Sequence, residues 1–350
     1  MVFAQVVLGP PGSGKTTYSF AAKEFMVSNL GRKVCVVNLD PACEGHEAPQ
    51  TPEGADKASH DKTTEPASAT SSTTTTSVGS EAAPDSKGHP SSKGSVEPAR
   101  TFDVDIRELV RVDEVMQRLD VGPNAALIFC MEFLEQNLGW LKEKLDGYRG
   151  HTFVLDCPGQ VELYTHHRMM RNIVKEMEEQ WHFRVCCVHL VDSYMCSEPS
   201  NFMSALLVSM SAMMMLELPH VNVLSKIDLV EAYGKLHFNL DFYTEVLDLH
   251  YLMEHMETGS GKTGVRRQRY KQLTEALAEM VQDFALVHFV TLDVQSPKLM
   301  LKLVQAVDAS LGNLYTGAGQ DSIELESAVL SQPPLHQTHA FTTQQQYMDS

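Results

Sequence analysis

The zinc-clip spacing of cysteine is missing. Cys35, Cys43, Cys130, Cys157, Cys186, Cys187 and Cys196 include no Cys-x-x-Cys pair, which argues against a zinc ribbon or a dithiol redox centre. Odd in number and scattered, they read as reduced thiols of a cytosolic or nuclear protein. Positive charge is also scarce. Lys and Arg number 28 against 45 Asp and Glu, a net charge of −17, so attraction to nucleic acid or to an anionic membrane is not expected as the main activity. That leaves a protein or a small ligand as partner. No membrane span is expected: the most apolar stretch, Phe202 to Leu218, is broken by Ser204, Ser209 and Ser211 and falls short of the ~20 residues needed. It reads as a buried helix. Met1 to Leu8 carries no basic leader and reads as a strand, so no secretory signal is expected.

Large apolar side chains beyond valine vanish in one place. From Glu44 to Arg100 there is no Ile, Leu, Met, Phe, Tyr or Trp, and the segment includes Ser71-Ser72-Thr73-Thr74-Thr75-Thr76. Such composition cannot bury enough apolar surface to offset the entropy of ordering. A disordered low-complexity insertion over 44–100 is therefore expected, with the folded domain made of 1–43 and 101–316. A polar, aperiodic stretch over 317–350 reads as a flexible C-terminal tail.

Elsewhere short β-branched runs alternate with longer amphipathic ones, the pattern of an α/β protein with a mostly parallel sheet covered by helices on both faces. Strands are expected at Phe3–Leu8, Lys33–Leu39, Thr152–Asp156, Arg184–Val191, Val221–Ser225 and Leu286–Leu292. Helices are expected at Thr16–Leu30, Ile106–Leu119, Glu132–Leu145, Val161–Gln180, Asn201–Leu216, Phe242–Met256, Tyr270–Phe284 and Pro297–Ser310.

Between the first strand and the first helix lies Gly9-Pro10-Pro11-Gly12-Ser13-Gly14-Lys15-Thr16, a full phosphate-loop (P-loop) pattern in the flanking context that it requires. Its backbone N–H groups, with Gly12, Ser13, Gly14 and the adjoining Thr17, would cradle phosphate oxygens at a helix N-terminus. Lys15 would reach the β- and γ-phosphates and Thr16 would offer its hydroxyl to magnesium. The fold class is therefore a P-loop NTPase, a three-layer α/β/α sandwich. Gly259-Ser260-Gly261-Lys262-Thr263 imitates the motif, but Met256 replaces the first glycine and the lead-in looks helical; a surface loop is expected.

Asp156-Cys157-Pro158-Gly159-Gln160 ends an apolar strand in the Asp-x-x-Gly form of a γ-phosphate sensor. Asp156 can hold magnesium through water, the Gly159 amide can meet the γ-phosphate, and Gln160 is placed to orient the attacking water. Asp40 ends the second strand and can join the metal shell or polarise water, although Asp40-Pro41 also suits a plain turn. Asp105 is read first as an N-cap. Ser225-Lys226-Ile227-Asp228 resembles the guanine-reading Asn-Lys-x-Asp element with Ser in first place. The Asp228 carboxylate accepts from N1–H and the exocyclic amine of guanine, a donor pair that adenine lacks. Lys226 can lie over the base. Ser225 is expected to lose an amide that would brace the phosphate loop. Thr291-Leu292-Asp293, with Leu292 foremost, is expected to supply a backbone N–H to the base carbonyl.

Val121-Gly122-Pro123-Asn124 completes a set of motifs that, in this order, resembles the GPN-loop GTPases from the N-terminus to about Tyr315. Cys130-Met131-Glu132, His189-Leu190-Val191-Asp192-Ser193 and Tyr233-Gly234-Lys235-Leu236 are similar to that family's text. The resemblance implies GTP/GDP and Mg2+ as ligands, and a homodimer or a heterodimer with a GPN-loop paralogue. In it Gly122-Pro123-Asn124 would form a projecting tip, Asn124 standing near the neighbour's γ-phosphate and catalytic water. It further implies assembly of RNA polymerase II, and of III, in the cytoplasm before nuclear import. Two departures stand out: the insertion, with Pro98-Ala99-Arg100 where the family has a Pro-Tyr pair, and Ser225.

Catalysis is thus assigned to Lys15, Gln160, Asp40 and Asn124, and metal to Thr16, Asp40 and Asp156. His166-His167 reads as helix surface or dimer contact because neighbours on a helix point apart. Met213-Met214-Met215 reads as core packing, and Arg266-Arg267-Gln268-Arg269 as an exposed helix start. Two rivals share the phosphate loop: a small-molecule kinase, which needs an acceptor pocket and lid, and a scaffold that binds nucleotide only for stability.

Overall fold

The computed structural model describes residues 1–43, 101–234, 236–246, 249–252, 265–284, 287–313 and 343–348. Contacts divide the chain into two units, Met1–Ala48 with Thr101–Ser350, and Pro49–Arg100; the second lies outside the described residues, as do the Gly259–Thr263 look-alike and the side chains of the Arg266–Arg269 cluster.

The first unit is built on a seven-stranded sheet in the order β3-β2-β4-β1-β5-β6-β7. Its strands are β1 Val2–Leu8, β2 Val34–Asn38, β3 Val104–Asp105, β4 Thr152–Asp156, β5 Phe183–Asp192, β6 His220–Ser225 and β7 Phe289–Thr291. Every pair is parallel, as expected of strands that are apolar on both faces. The helices are α1 Lys15–Leu30, α2 Val112–Leu119, α3 Pro123–Gln136, α4 Leu138–Asp146, α5 Glu162–Thr165, α6 Met169–Glu179, α7 Pro199–Leu216, α8 Val230–Tyr233, α9 Leu240–Glu245, α10 Val265–Phe284 and α11 Pro297–Leu311.

Two core layers flank the sheet. On one side Met131, Leu134, Leu141, Ile173 and Met177 from α3, α4 and α6 cover Val6, Val37 and Leu155. On the other, Tyr18, Ala22 and Met26 of α1 join Leu303, Val304 and Val307 of α11 against Val7, Val154 and Val188. A third apolar cluster gathers α7, α9 and α10 around Leu224 and Phe289. All carboxyl ends of a parallel sheet face one way, so Leu8, Asn38, Asp156, Asp192, Ser225 and Thr291 open on a common edge, where ligands of such sheets bind. The α7 helix is long and apolar enough to cross a membrane by length and composition; here it packs Phe202, Leu206 and Met210 into the core. Met213 joins that packing while Met214 is 50% exposed.

Several expected elements shift. β3, only two residues long, escaped detection. It is fixed by Asp103, whose carboxylate accepts from Lys23 Nζ at 2.6 Å and from the Val36 N–H at 2.7 Å. The helix expected over Ile106–Leu119 is a 3-10 turn at Ile106–Glu108 followed by α2. The one expected over Val161–Gln180 is two, α5 and α6. Finally the helix expected over Glu132–Leu145 is the end of α3 followed by α4, parted at Asn137, and α3 begins at Pro123: Gly122 is its N-cap and Pro123 its first residue, a position where proline's missing N–H is harmless and its fixed φ already helical. Gly122-Pro123-Asn124 is therefore the first turn of a helix rather than a free tip.

Residues 343–348 of the expected tail are among those described. Residues 343–347 form a helical turn, with Thr343 3% exposed and Tyr347 and Met348 packed against the α7–α9–α10 cluster.

Candidate nucleotide site

The phosphate loop wraps as its glycines require. Gly9 has φ +146°, and a Cβ there would lie 2.3 Å from the Leu190 carbonyl oxygen, so no other residue fits. The turn is closed by the Ser13 N–H donating to the Pro10 carbonyl at 3.2 Å. Lys15 is 8% exposed and donates to the same carbonyl at 3.3 Å. Burial lowers its pKa, opposed by the nearby Asp156 and Asp40 carboxylates. An ammonium held among carboxylates without a tight ion pair is ready to take phosphate oxygens.

The Asp-x-x-Gly element meets this loop directly. The Thr16 hydroxyl donates to Asp156 Oδ2 at 2.6 Å. Asp156 is 1% exposed, and burial pushes its carboxyl up to about 6, partly offset by Thr16 and Lys15. Its second oxygen, Oδ1, is buried without a protein partner among the described residues. A hydroxyl beside an under-used carboxylate is a hard-oxygen donor set that suits magnesium, which takes one or two protein ligands and fills the rest with phosphate and water. Gly159 lies against the loop: a Cβ there would meet Lys15 Nζ at 3.0 Å and Pro11 backbone atoms at 3.2 Å. Gln160 follows, half-buried, its carbonyl accepting the Leu163 N–H at the start of α5.

Of the parts weighed for Asp40, the turn is the one seen. Its carboxylate accepts from the Ala42 N–H at 3.0 Å, a turn contact, while burial raises its pKa against the pull of Lys15 and Arg107, which puts it in the field of the phosphate lysine. Asp105, fully buried, caps the 3-10 turn through the Arg107 N–H and is gripped by the Arg107 guanidinium at 2.6 Å. Asn38 ties these together: Nδ2 donates to Asp105 at 3.0 Å and Oδ1 accepts from the Asp40 N–H at 2.9 Å. Asn38 and Arg107 were missed in the sequence. The available signal was a buried Asn ending an otherwise apolar strand.

At the base end two expectations need correction. Ser225 does brace the phosphate loop: its hydroxyl lies 2.8 Å from the Ser13 carbonyl and 3.1 Å from that of Val191, so the short side chain takes over the bracing itself. The Leu292 N–H, in contrast, donates to the Leu224 carbonyl at 2.8 Å and is committed to the sheet rather than to a base. The Leu292 carbonyl instead accepts from the Ile227 N–H at 3.3 Å, which fixes the Lys226–Asp228 loop. Lys226 adopts left-handed φ 57°, a conformation that a non-glycine residue holds only when its surroundings impose it. They do: the Ser193 hydroxyl donates to its carbonyl at 2.8 Å and its Nζ reaches Asp192 at 2.7 Å. Asp228 is exposed beside it.

The sequence-selected residues Lys15, Thr16, Asp156 and Gly159 thus converge, with Asp40 in the field of Lys15, while Lys226 and Asp228 stand at the carboxyl end of β6, next to Ser225. Asn124 does not join them. Gly122, Pro123 and Asn124 are all exposed, and no hydrogen bond links them to the phosphate loop among the described residues. A family model described as "Conserved hypothetical ATP binding protein" matches residues 7–51 and 95–313. GPN-loop GTPase 2 of Danio rerio is 40% identical, over 99% of this chain and 93% of that protein. The chain belongs to the GPN-loop GTPase family. GPN-loop GTPase QQT1 of Arabidopsis thaliana is 37% identical over 100% of this chain and 98% of its own length. Among solved structures, an apo-form GTPase from Pyrococcus abyssi matches with TM-score 0.56 and 17% identity, over 88% of this chain and 97% of that one; this likeness speaks to the fold alone.

Proposed function

We propose that this GPN-loop chain binds GTP with magnesium and hydrolyses it to GDP and phosphate as a nucleotide-switched dimer. The observation that carries the reading is the 2.6 Å bond from Thr16 to Asp156, which joins the phosphate loop to the strand end expected to sense the γ-phosphate. Lys15 meets the developing charge on the γ-phosphate, aided by the backbone N–H groups of the loop. Thr16 and Asp156 would hold the magnesium, which would supply positive charge to offset that of the phosphates. Gln160 and Asp40 orient the attacking water, and the Gly159 amide donates to the γ-phosphate. Lys226 lies along the base and Asp228 accepts from its N1–H and exocyclic amine.

The matching model's description names ATP and the relatives' names say GTPase, so base choice is the property to test. The carboxylate of Asp228 favours guanine, since adenine offers it no donor pair. Calorimetric titration with magnesium should give GTP binding at least about a hundredfold tighter than ATP, as expected of a site whose polar groups go unpaired with the wrong base. Asp228→Asn should shift preference toward xanthosine triphosphate. Phosphate release from GTP without an acceptor separates hydrolase from kinase. Equal affinity for ATP and GTP would sink the guanine reading, and GTP left intact would sink hydrolysis and favour a scaffold.

The dimer, a homodimer or a pair with a GPN-loop paralogue, rests on the exposed Asn124, which gains a role only if a neighbour's nucleotide reaches it. The client is proposed from family resemblance alone: RNA polymerase II, and III, assembled in the cytoplasm before nuclear import. Neither direct nucleic-acid binding nor membrane association belongs to the proposal.

A further inference from the structure

The base loop leans on a part of the chain that the family motifs do not include. Tyr347, in the C-terminal turn 343–347, donates its phenol to Asp293 Oδ2 at 2.6 Å. The other oxygen of Asp293 accepts from the Gln295 N–H at 2.8 Å, so this 7%-exposed carboxylate is held on both sides. Asp293 directly follows Leu292, whose carbonyl receives the Ile227 N–H between Lys226 and Asp228. A continuous path thus runs from Tyr347 through Asp293 and Leu292 to the loop that reads the base. Asp228 also acts electrostatically on the Tyr347 phenol, which burial first, and then its bond to Asp293, push up to about 12. The far end of the turn is pinned separately. Gln344 Oε1 accepts from the Leu240 N–H at 3.1 Å, at the start of α9, and Met348 packs on the adjoining apolar cluster.

We propose that the C-terminal turn 343–348 is a clasp on the base-reading loop, with Tyr347 a positioning residue that tightens the hold on guanine nucleotide. This rests on the nucleotide site proposed above. An ordinary packing segment would stabilise the fold without discriminating between ligands. A clasp at the base end instead strengthens whatever carries a base and leaves a bare polyphosphate alone. Coupling is also reciprocal: if the docked turn favours nucleotide, bound nucleotide must favour the docked turn.

The test uses the full chain with a fluorescent GDP analogue and with tripolyphosphate as a base-free probe of the phosphate loop. Tyr347→Phe and Gln344→Ala, which cut the clasp at its two ends, should each weaken GDP binding about fivefold, the size of one lost hydrogen bond, with tripolyphosphate affinity unchanged. In GTP turnover the loss should appear in KM and leave kcat alone, because the clasp is at the base and not at the γ-phosphate. GDP should slow amide hydrogen exchange over 343–348 in the wild type. GDP affinity unchanged in both variants, or lost in parallel with tripolyphosphate, would overturn the clasp. A wild-type chain that bound tripolyphosphate but no GDP would instead overturn the guanine site, and the clasp with it.

Discussion

At the scale of single residues, the site holds a carboxylate in a form that burial disfavours. Asp156 titrates near 6 in the fold against about 3.9 for an unfolded chain. A raised folded-state pKa means that the native state binds the proton more tightly. Its contribution to stability is thus fully present below about pH 4 and is lost as pH rises through about 6, a difference of about 3 kcal/mol at neutral pH. Magnesium and triphosphate would offset that loss, whereas a nucleotide-free chain bears it. Asp156→Asn keeps an acceptor for Thr16 and carries no charge, so without metal or nucleotide it should unfold at higher denaturant than wild type at pH 7.5. The advantage, about 1 to 3 kcal/mol, should shrink toward zero by pH 4.5; an advantage independent of pH would contradict the assignment. Lys15, Thr16, Asp156 and Gly159 were legible in the sequence because each lies at fixed spacing within a short motif. Asn38 and Arg107 were not: their bonds to Asp105 make sense only once β2 and β3 lie side by side, with Asn38 67 residues from its partner.

At the scale of elements, most of the sheet was legible, since six of the seven strands are apolar runs with their own turn signals. What failed was short or locally ambiguous. β3 is too brief for periodicity to register, and Gly122-Pro123-Asn124 reads as a turn when the same proline equally suits the first position of a helix. The strand-end loops were judged by residue type and so Ser225 was read as a loss. Its hydroxyl, between the end of β6 and the phosphate loop, makes the opposite prediction. Ser225→Ala should weaken GDP, GTP and tripolyphosphate alike, by roughly three- to tenfold for one buried hydrogen bond. Asp228→Asn should weaken only the ligands that carry guanine. Parallel titrations of the two variants would separate bracing from base reading, and a Ser225→Ala effect confined to guanine nucleotides would return the serine to the base pocket.

At the scale of the whole molecule, the question is whether one chain is enough. The helical turn at 343–347 was hidden inside a polar stretch because its anchors, Asp293 and Leu240, are distant in sequence. Asn124 poses the same problem between molecules: it is exposed at the start of α3, and Phe129 further along that helix is 38% exposed and stacked on Phe133. An exposed aromatic on the helix that carries Asn124 would suit a two-fold pair in which each copy completes the other's site. Lys15→Ala removes the phosphate lysine and Asn124→Ala removes the group proposed to act across the dimer, so each protein alone should be nearly inactive. In a mixed dimer the Asn124→Ala chain supplies Lys15 and its Lys15→Ala partner supplies Asn124, which restores one complete site. Equal mixing makes half of the dimers mixed, so phosphate release should recover to about one quarter of the wild-type rate per chain. If the mixture stays as inactive as its components although the two proteins co-associate, Asn124 acts within its own chain or not at all.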